Sequence, residues 1–155
     1  MQNLSRRQSI ALAAGGAVAG AVGIAGAASA DAPPQSRGKG LSGTWALGVR
    51  FPDGTVNPTV ISFDSSGSLV ETNALTRSTG LGSWVHDSGE RFSYVFWEQF
   101  FDAQNVLQSH IRVEHHLNID ASGGAYAGEG KGDVYDLSWN VVATIPTTFT
   151  AKRLA

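Results

Sequence analysis

Glu71, Glu98 and His115 are the residues of this sequence best suited to acid–base chemistry, because each lies in a stretch that is otherwise apolar, β-branched and aromatic. A carboxyl in an apolar setting stays protonated to higher pH than in water, and an imidazole beside it exchanges protons near neutrality. General acid–base catalysis of an isomerisation or cyclisation uses that combination. The same groups also serve to orient a bound molecule, or to satisfy one another in a core. Any of these uses requires the chain to bring them into one interior.

Two other groupings are weaker. His110, Glu114, His115 and His116 fall within seven residues, but on an extended strand His115 points away from the rest. His110 and Glu114 are then about 13 Å apart at ~3.3 Å per residue. Only Glu114 and His116 are same-face neighbours, so no metal site is expected there. The segment from Gly124 to Gly132 resembles a phosphate-binding loop superficially, yet Ala125 stands where the first glycine belongs and Gly132 where Ser or Thr would hold magnesium. Its glycines suit a sharply bent strand, with Gly128 and Gly130 at the bend. No cofactor is expected.

The elements that must position these residues are legible from residue 41 onward. Turn signals recur at Pro52-Asp53-Gly54, Ser65-Ser66-Gly67, Ser78-Thr79-Gly80, Asp87-Ser88-Gly89, Asp102 to Asn105, Asp120 to Gly124 and Asp136 to Asn140. The eight segments between them are rich in Val, Ile, Thr, Phe, Tyr and Trp and alternate with period two, which predicts strands over 43–51, 56–64, 68–76, 80–86, 91–101, 106–119, 125–135 and 140–153. Eight consecutive strands on hairpin-length links make an all-β antiparallel meander, and closing it into a small barrel removes both exposed edges. Such a barrel holds packed side chains or one small ligand.

Short turns allow pairing to be predicted as well. Placing Phe101 opposite Val106 sets Phe96 against Ile111, Tyr94 against Val113 and Phe92 against His115. The inner face then carries Phe92, Tyr94, Phe96, Glu98, Ile111, Val113 and His115, and the outer face His110, Arg112, Glu114, His116 and Asn118. At the Asp64 to Gly67 turn, Phe63 meets Leu69 and Ile61 meets Glu71, which also sends Glu71 inward. The register near Asp87 is ambiguous by one residue, so Trp84 and His86 receive no face.

The first predicted strand opens with Gly43-Thr44-Trp45 and the last ends with Lys152-Arg153-Leu154. A Gly-x-Trp on the first strand of an eight-stranded meander, with a basic residue on the last, resembles the lipocalins and the wider calycin barrels. Barrels similar to allene oxide cyclase and dirigent proteins share the strand count and size. The lipocalin resemblance implies that Trp45 closes one end of the barrel with the Arg153 guanidinium over its indole, and that Gly43, Trp45 and Arg153 form a structural motif.

Ahead of this domain, Ser5-Arg6-Arg7-Gln8-Ser9-Ile10-Ala11 leads into an apolar run of mostly Ala and Gly up to Ala27, followed by Ala28-Ser29-Ala30. The pattern resembles a bacterial twin-arginine (Tat) signal peptide over 1–30, cleaved after Ala30 and leaving no stable membrane span. A flexible leader over 31–40 and one barrel domain over 41–155 follow. Without Arg6 and Arg7, 9 basic residues stand against 13 acidic ones, a formal charge of −4 that argues against a nucleic-acid partner. The absence of cysteine excludes disulfides, thiolate metal sites and a cysteine nucleophile. These features together lead us to expect an exported domain that holds a small apolar or aromatic molecule between Phe92, Tyr94, Phe96, Ile111 and Val113, with Glu98 and His115 orienting it. The alternative is a cyclase or isomerase using Glu98, His115 and Glu71 in the same cavity.

Overall fold

A computed structural model describes residues 40–154; the signal peptide and most of the leader expected over 1–39 lie outside them. The eight strands are β1 (Gly43–Arg50), β2 (Val56–Phe63), β3 (Ser68–Asn73), β4 (Ser78–Ser88), β5 (Arg91–Phe101), β6 (Leu107–Ile119), β7 (Ala125–Tyr135) and β8 (Val141–Arg153). Each pairs antiparallel with the next, and β1 pairs with β8, so the meander closes into a barrel. Alternation is clearest in β2, where Asn57, Thr59, Ile61 and Phe63 are buried and the residues between them exposed.

Several hairpins use one kind of turn. At the β1–β2, β2–β3, β5–β6 and β7–β8 links the first residue of a five-residue turn donates its N–H to the carbonyl of the fifth, and the fourth takes positive φ: Gly54, Gly67, Asn105 and Trp139. An aspartate caps the turn in each case: Asp64 Oδ1 accepts from Ser66 N, Asp102 Oδ1 from Gln104 N and Val106 N, and Asp136 Oδ1 from Ser138 N and Asn140 N. In the β1–β2 link the aspartate is the third residue, and Asp53 Oδ1 accepts from Thr55 N. These side chains replace missing backbone partners, which is why Asp recurs at the links.

The β5–β6 turn corrects the predicted register. Asp102 N donates to Val106 O, and an irregularity between Phe100 and Phe101 adds a further residue, so Phe96 pairs with Val113, Tyr94 with His115 and Phe92 with Leu117. The slip is two residues, and a two-residue slip leaves every side chain on its predicted face. The β3–β4 turn also falls elsewhere than predicted. The chain reverses over 74–77, with Arg77 N donating to Asn73 O and Arg77 at φ 56°, and Ser78-Thr79-Gly80 belongs to β4. Gly80 is a close-approach glycine: a Cβ there would lie 2.6 Å from the Phe96 ring.

One end of the barrel is sealed. Trp45 is fully buried, donates from Nε1 to Leu41 O at 2.9 Å and packs on Tyr126 at 4.7 Å between ring centroids. The Arg153 guanidinium lies 4.1 Å from the Trp45 ring centroid. It donates from Nε to Gly123 O at 2.8 Å, from Nη1 to Ser42 O at 2.7 Å and from Nη2 to Gly40 O at 2.5 Å. Gly43, at φ 129°, leaves room for Nη1, which would stand 2.7 Å from a Cβ. One side chain therefore ties the β6–β7 turn and the entry to β1 across the closing strands. Trp84, whose Nε1 donates to Asp64 O, also faces inward, and His86 packs its ring against Phe92 at 4.8 Å. At the opposite end the inward-facing Ile111, Val134 and Ile145 are only half-buried.

Arg153→Ala is expected to destabilise the domain by about 2–4 kcal/mol through loss of these charged hydrogen bonds and the contact with the indole. Arg153→Lys should recover only part of this, because an ammonium lacks the planar fork. Urea denaturation measures both, and a loss under about 0.5 kcal/mol for the alanine variant would mean that strand pairing alone closes the barrel.

Candidate functional site

The interior divides into an aromatic part and a polar part. In the aromatic part Phe63 meets Tyr94 at 5.3 Å and Trp84 at 6.2 Å, Trp84 meets Phe92 at 5.9 Å, and Tyr94 meets Phe96 at 6.2 Å. Phe92 and Tyr94 are thus packed into the filled, sealed half. Phe96, Ile111 and Val113 lie further along, where β6 approaches the half-buried end.

His115 sits in the aromatic half. Its Nδ1 is 2.7 Å from Tyr94 Oη and its Nε2 3.0 Å from Thr147 Oγ1, while its ring stacks on Phe149 at 4.2 Å. Gly130 makes room for the ring, since a Cβ there would stand 2.4 Å from His115 Cδ2. Burial, aided by nearby His116, lowers the imidazole to about 3, so it is neutral at physiological pH with both nitrogens engaged.

The polar half gathers under the β3–β4 turn. Asn73 is its hub: Oδ1 accepts from Leu75 N at 2.9 Å and from Asn57 Nδ2 at 2.9 Å, while Nδ2 donates to Glu98 Oε2 at 3.3 Å. Thr76 Oγ1 donates to the same Glu98 oxygen at 2.9 Å. Burial raises the Glu98 pKa, and these two donors oppose the rise.

Glu71, 1% exposed, is more constrained. Its Oε1 bonds to Thr59 Oγ1, which also lies 2.7 Å from the carbonyl oxygen of Thr72. A hydroxyl has one proton, and a carbonyl can only accept. With Glu71 ionised, one of the two acceptors goes unsatisfied; with Glu71 protonated, it donates to Thr59 and Thr59 donates to Thr72. Burial agrees, raising Glu71 from 4.5 to about 7 against the Thr59 bond, with the charge of Glu98 adding to the rise. Two buried acceptors receive no donor from the chain: Glu71 Oε2 and Asn57 Oδ1. The Tyr126 hydroxyl, deep in the aromatic half, approaches that of Tyr94 without closing a well-formed bond.

The three proposed catalytic residues therefore do not form one cluster. Glu71 and Glu98 interact within the polar half, whereas His115 is bound to Tyr94 and Thr147. On the outer wall, Arg112 bridges to Glu114 at 2.8 Å, His116 Nδ1 lies 2.9 Å from Ser93 Oγ, and Lys131 pairs with Asp133 at 2.9 Å. Among the described residues no three His, Asp or Glu side chains converge as metal ligands would. Two open grooves also run along the outer wall, one beside Arg50, Pro52, Glu114 and Lys131, the other over Ala46, Gly48, Ala127 and Thr150. Sequence reasoning missed an exposed aromatic cluster in which Trp139 stacks on His110 at 4.3 Å and 2° and meets Trp97 at 5.8 Å. Its only signal was a tryptophan in a turn position that glycine or asparagine fills in the sister links.

No protein-family model and no curated protein matches the sequence. Among solved structures, the chain is similar to a redesigned β-barrel, with a TM-score of 0.55 and 14% identity over 80% of this chain and 100% of that one. The likeness is one of fold.

The opposed pKa shifts predict opposite pH dependences. Glu71 titrates higher in the fold than its ordinary 4.5, so its contribution is intact below pH 4.5 and lost as pH rises through about 7. Glu71→Gln keeps the shape of the protonated acid and should gain on the native protein by about 3 kcal/mol at pH 8, with near parity at pH 4. His115 titrates below its ordinary 6.5, so its contribution is present above pH 6.5 and lost as pH falls toward 3. His115→Gln should flatten that acid limb. Denaturation midpoints between pH 4 and 8 test both, and parallel profiles for native protein and variants would refute the assignments.

Proposed function

We propose that this chain is a binding protein for a small apolar or aromatic molecule, held in the half of the barrel away from Trp45. One observation carries the reading: Glu71 Oε2 and Asn57 Oδ1 are buried acceptors without donors, in a barrel whose interior is otherwise largely apolar. A buried polar atom left unpaired costs about 1–3 kcal/mol, a cost that a ligand's polar group removes. Phe96, Val113 and the half-buried Ile111 offer the apolar wall, and Glu98 the orienting group. His115, Tyr94 and Phe92 form the floor on which that wall stands. The calycin-like reading of Gly43, Trp45 and Arg153 fits this division, since a barrel closed at one end is loaded from the other. We also propose that the domain acts outside the cytoplasm, addressed by the twin-arginine pattern of residues 1–30.

The cyclase or isomerase reading draws support from Glu71, which titrates near neutrality as a general acid would. It lacks the imidazole expected beside the carboxyls, because His115 is committed on both nitrogens to Tyr94 and Thr147. Binding is therefore the better supported use.

Native mass spectrometry of the purified protein, with titration of the neutral naphthalene dye prodan, tests the reading. A co-purifying mass that organic extraction removes, or dye binding that Ile111→Trp weakens at least tenfold by filling the mouth, is the expected result. A clean mass together with no dye binding by the native protein would overturn it.

A further inference from the structure

The two carboxyls of the polar half stand on either side of one glycine. Glu71 pairs with Gly80 across β3 and β4, and Glu98 lies one step beyond the Leu81–Trp97 pair of β4 and β5, level with Gly80. Over the bare Cα of Gly80 the Phe96 ring and Glu71 Oε2 converge, 2.6 and 3.1 Å from where a Cβ would be. Ring, carboxyl and carboxyl thus face the same small volume.

The hydrogen-bonding balance of that volume is one-sided. The hydroxyl donors there are spent, Thr59 on Thr72 O and Thr76 on Glu98, while Asn73 Nδ2 gives one N–H to Glu98 and Asn57 Nδ2 one to Asn73. The buried atoms of this half left without any partner, Glu71 Oε2 and Asn57 Oδ1, both accept. Charge is one-sided as well. Among the described residues no lysine or arginine pairs with Glu71 or Glu98; Arg112 and Lys131 are engaged on the outer wall and Arg153 at the sealed end. A molecule complementary to this site brings several donors and a positive charge.

We propose that the site takes an organic amine, with its protonated amino group seated between Glu71 and Glu98 and its apolar or aromatic body against Phe96, Ile111 and Val113. This rests on the binding function proposed above and specifies the ligand's head group. An ammonium offers three donors where the unpartnered atoms are acceptors, supplies the charge that two neighbouring carboxyls lack, and sits favourably near an aromatic ring. A carboxylate ligand would add a third acid to the same volume, and an alcohol would satisfy one acceptor while leaving the charges unbalanced.

Isothermal titration at pH 8 with 2-phenylethylamine, 2-phenylethanol and 3-phenylpropanoate decides the matter. The amine should bind at least tenfold tighter than the alcohol, and the acid most weakly. Lowering the pH to 5 should weaken the amine at least tenfold and leave the alcohol unchanged, because Glu71 must give up its proton to meet the ammonium. Glu98→Gln and Glu71→Gln preserve shape; each should weaken the amine at least fivefold while alcohol affinity stays within twofold. Equal or tighter binding of the alcohol, or a doubly substituted protein that holds the amine undiminished, overturns the amine assignment and leaves the binding function standing. Silence from all three ligands overturns the assignment too, and together with failure to bind prodan it overturns both.

Discussion

The pairing of β1 with β8 is the constraint on which the rest of the molecule depends. Six residue pairs from Trp45–Arg153 to Arg50–Thr148 turn a meander with two open edges into a continuous wall. Open edges would leave backbone donors and acceptors unpaired and invite other chains to complete them; closure removes that hazard and creates an inside. Arg153 reinforces the seam with long-range bonds to residues 40, 42 and 123, drawn over Trp45 at the point where the first and last strands meet. With no cysteine in the chain, this noncovalent clasp takes the place of a disulfide between the ends.

An enclosed interior changes the chemistry of what it encloses. Glu71 would be an ordinary carboxylate on the surface; burial, against the pull of the Thr59 bond, holds it as an acid to about pH 7. His115 is shifted the other way, to about 3, because for a base the charged form is the protonated one. The same burial thus pushes both groups toward their neutral forms. It also separates their tasks, since a neutral imidazole bonded at both nitrogens fixes the aromatic half, while Glu71 Oε2 keeps an unfilled acceptor in the polar half. Glycines make this possible at a distance in sequence: Gly130 admits the His115 ring and Gly80 admits Phe96 and Glu71.

Much of the architecture was legible in the sequence because the features that specify it are local. Period-two alternation marked eight strands, and β5 and β7 fall on the predicted bounds. Aspartate-headed turns marked most of the links, since an Asp side chain caps its own loop. Inward faces for Glu71, Glu98 and His115 followed from alternation and survived the register error, because a slip of two keeps parity. Gly80 misled for a physical reason. Glycine serves both turns and close contacts, and only the approaching ring distinguishes them.

The sequence by itself determined which residues alternate, where most of the chain's turns fall and which side chains face inward, all of which arise from neighbours within a few residues. Only the tertiary structure decided which inward groups meet. That choice depends on how far each strand is staggered against the next around a closed barrel, and on the bulge and turn that set the stagger of β5 on β6. Glu71 and Glu98, flanking Gly80 on separate strands, became a pair. Glu98 and His115, facing the same interior from adjacent strands, were separated, so the residues expected to share one site divide into a carboxyl pair flanking Gly80 and an imidazole held by Tyr94 and Thr147.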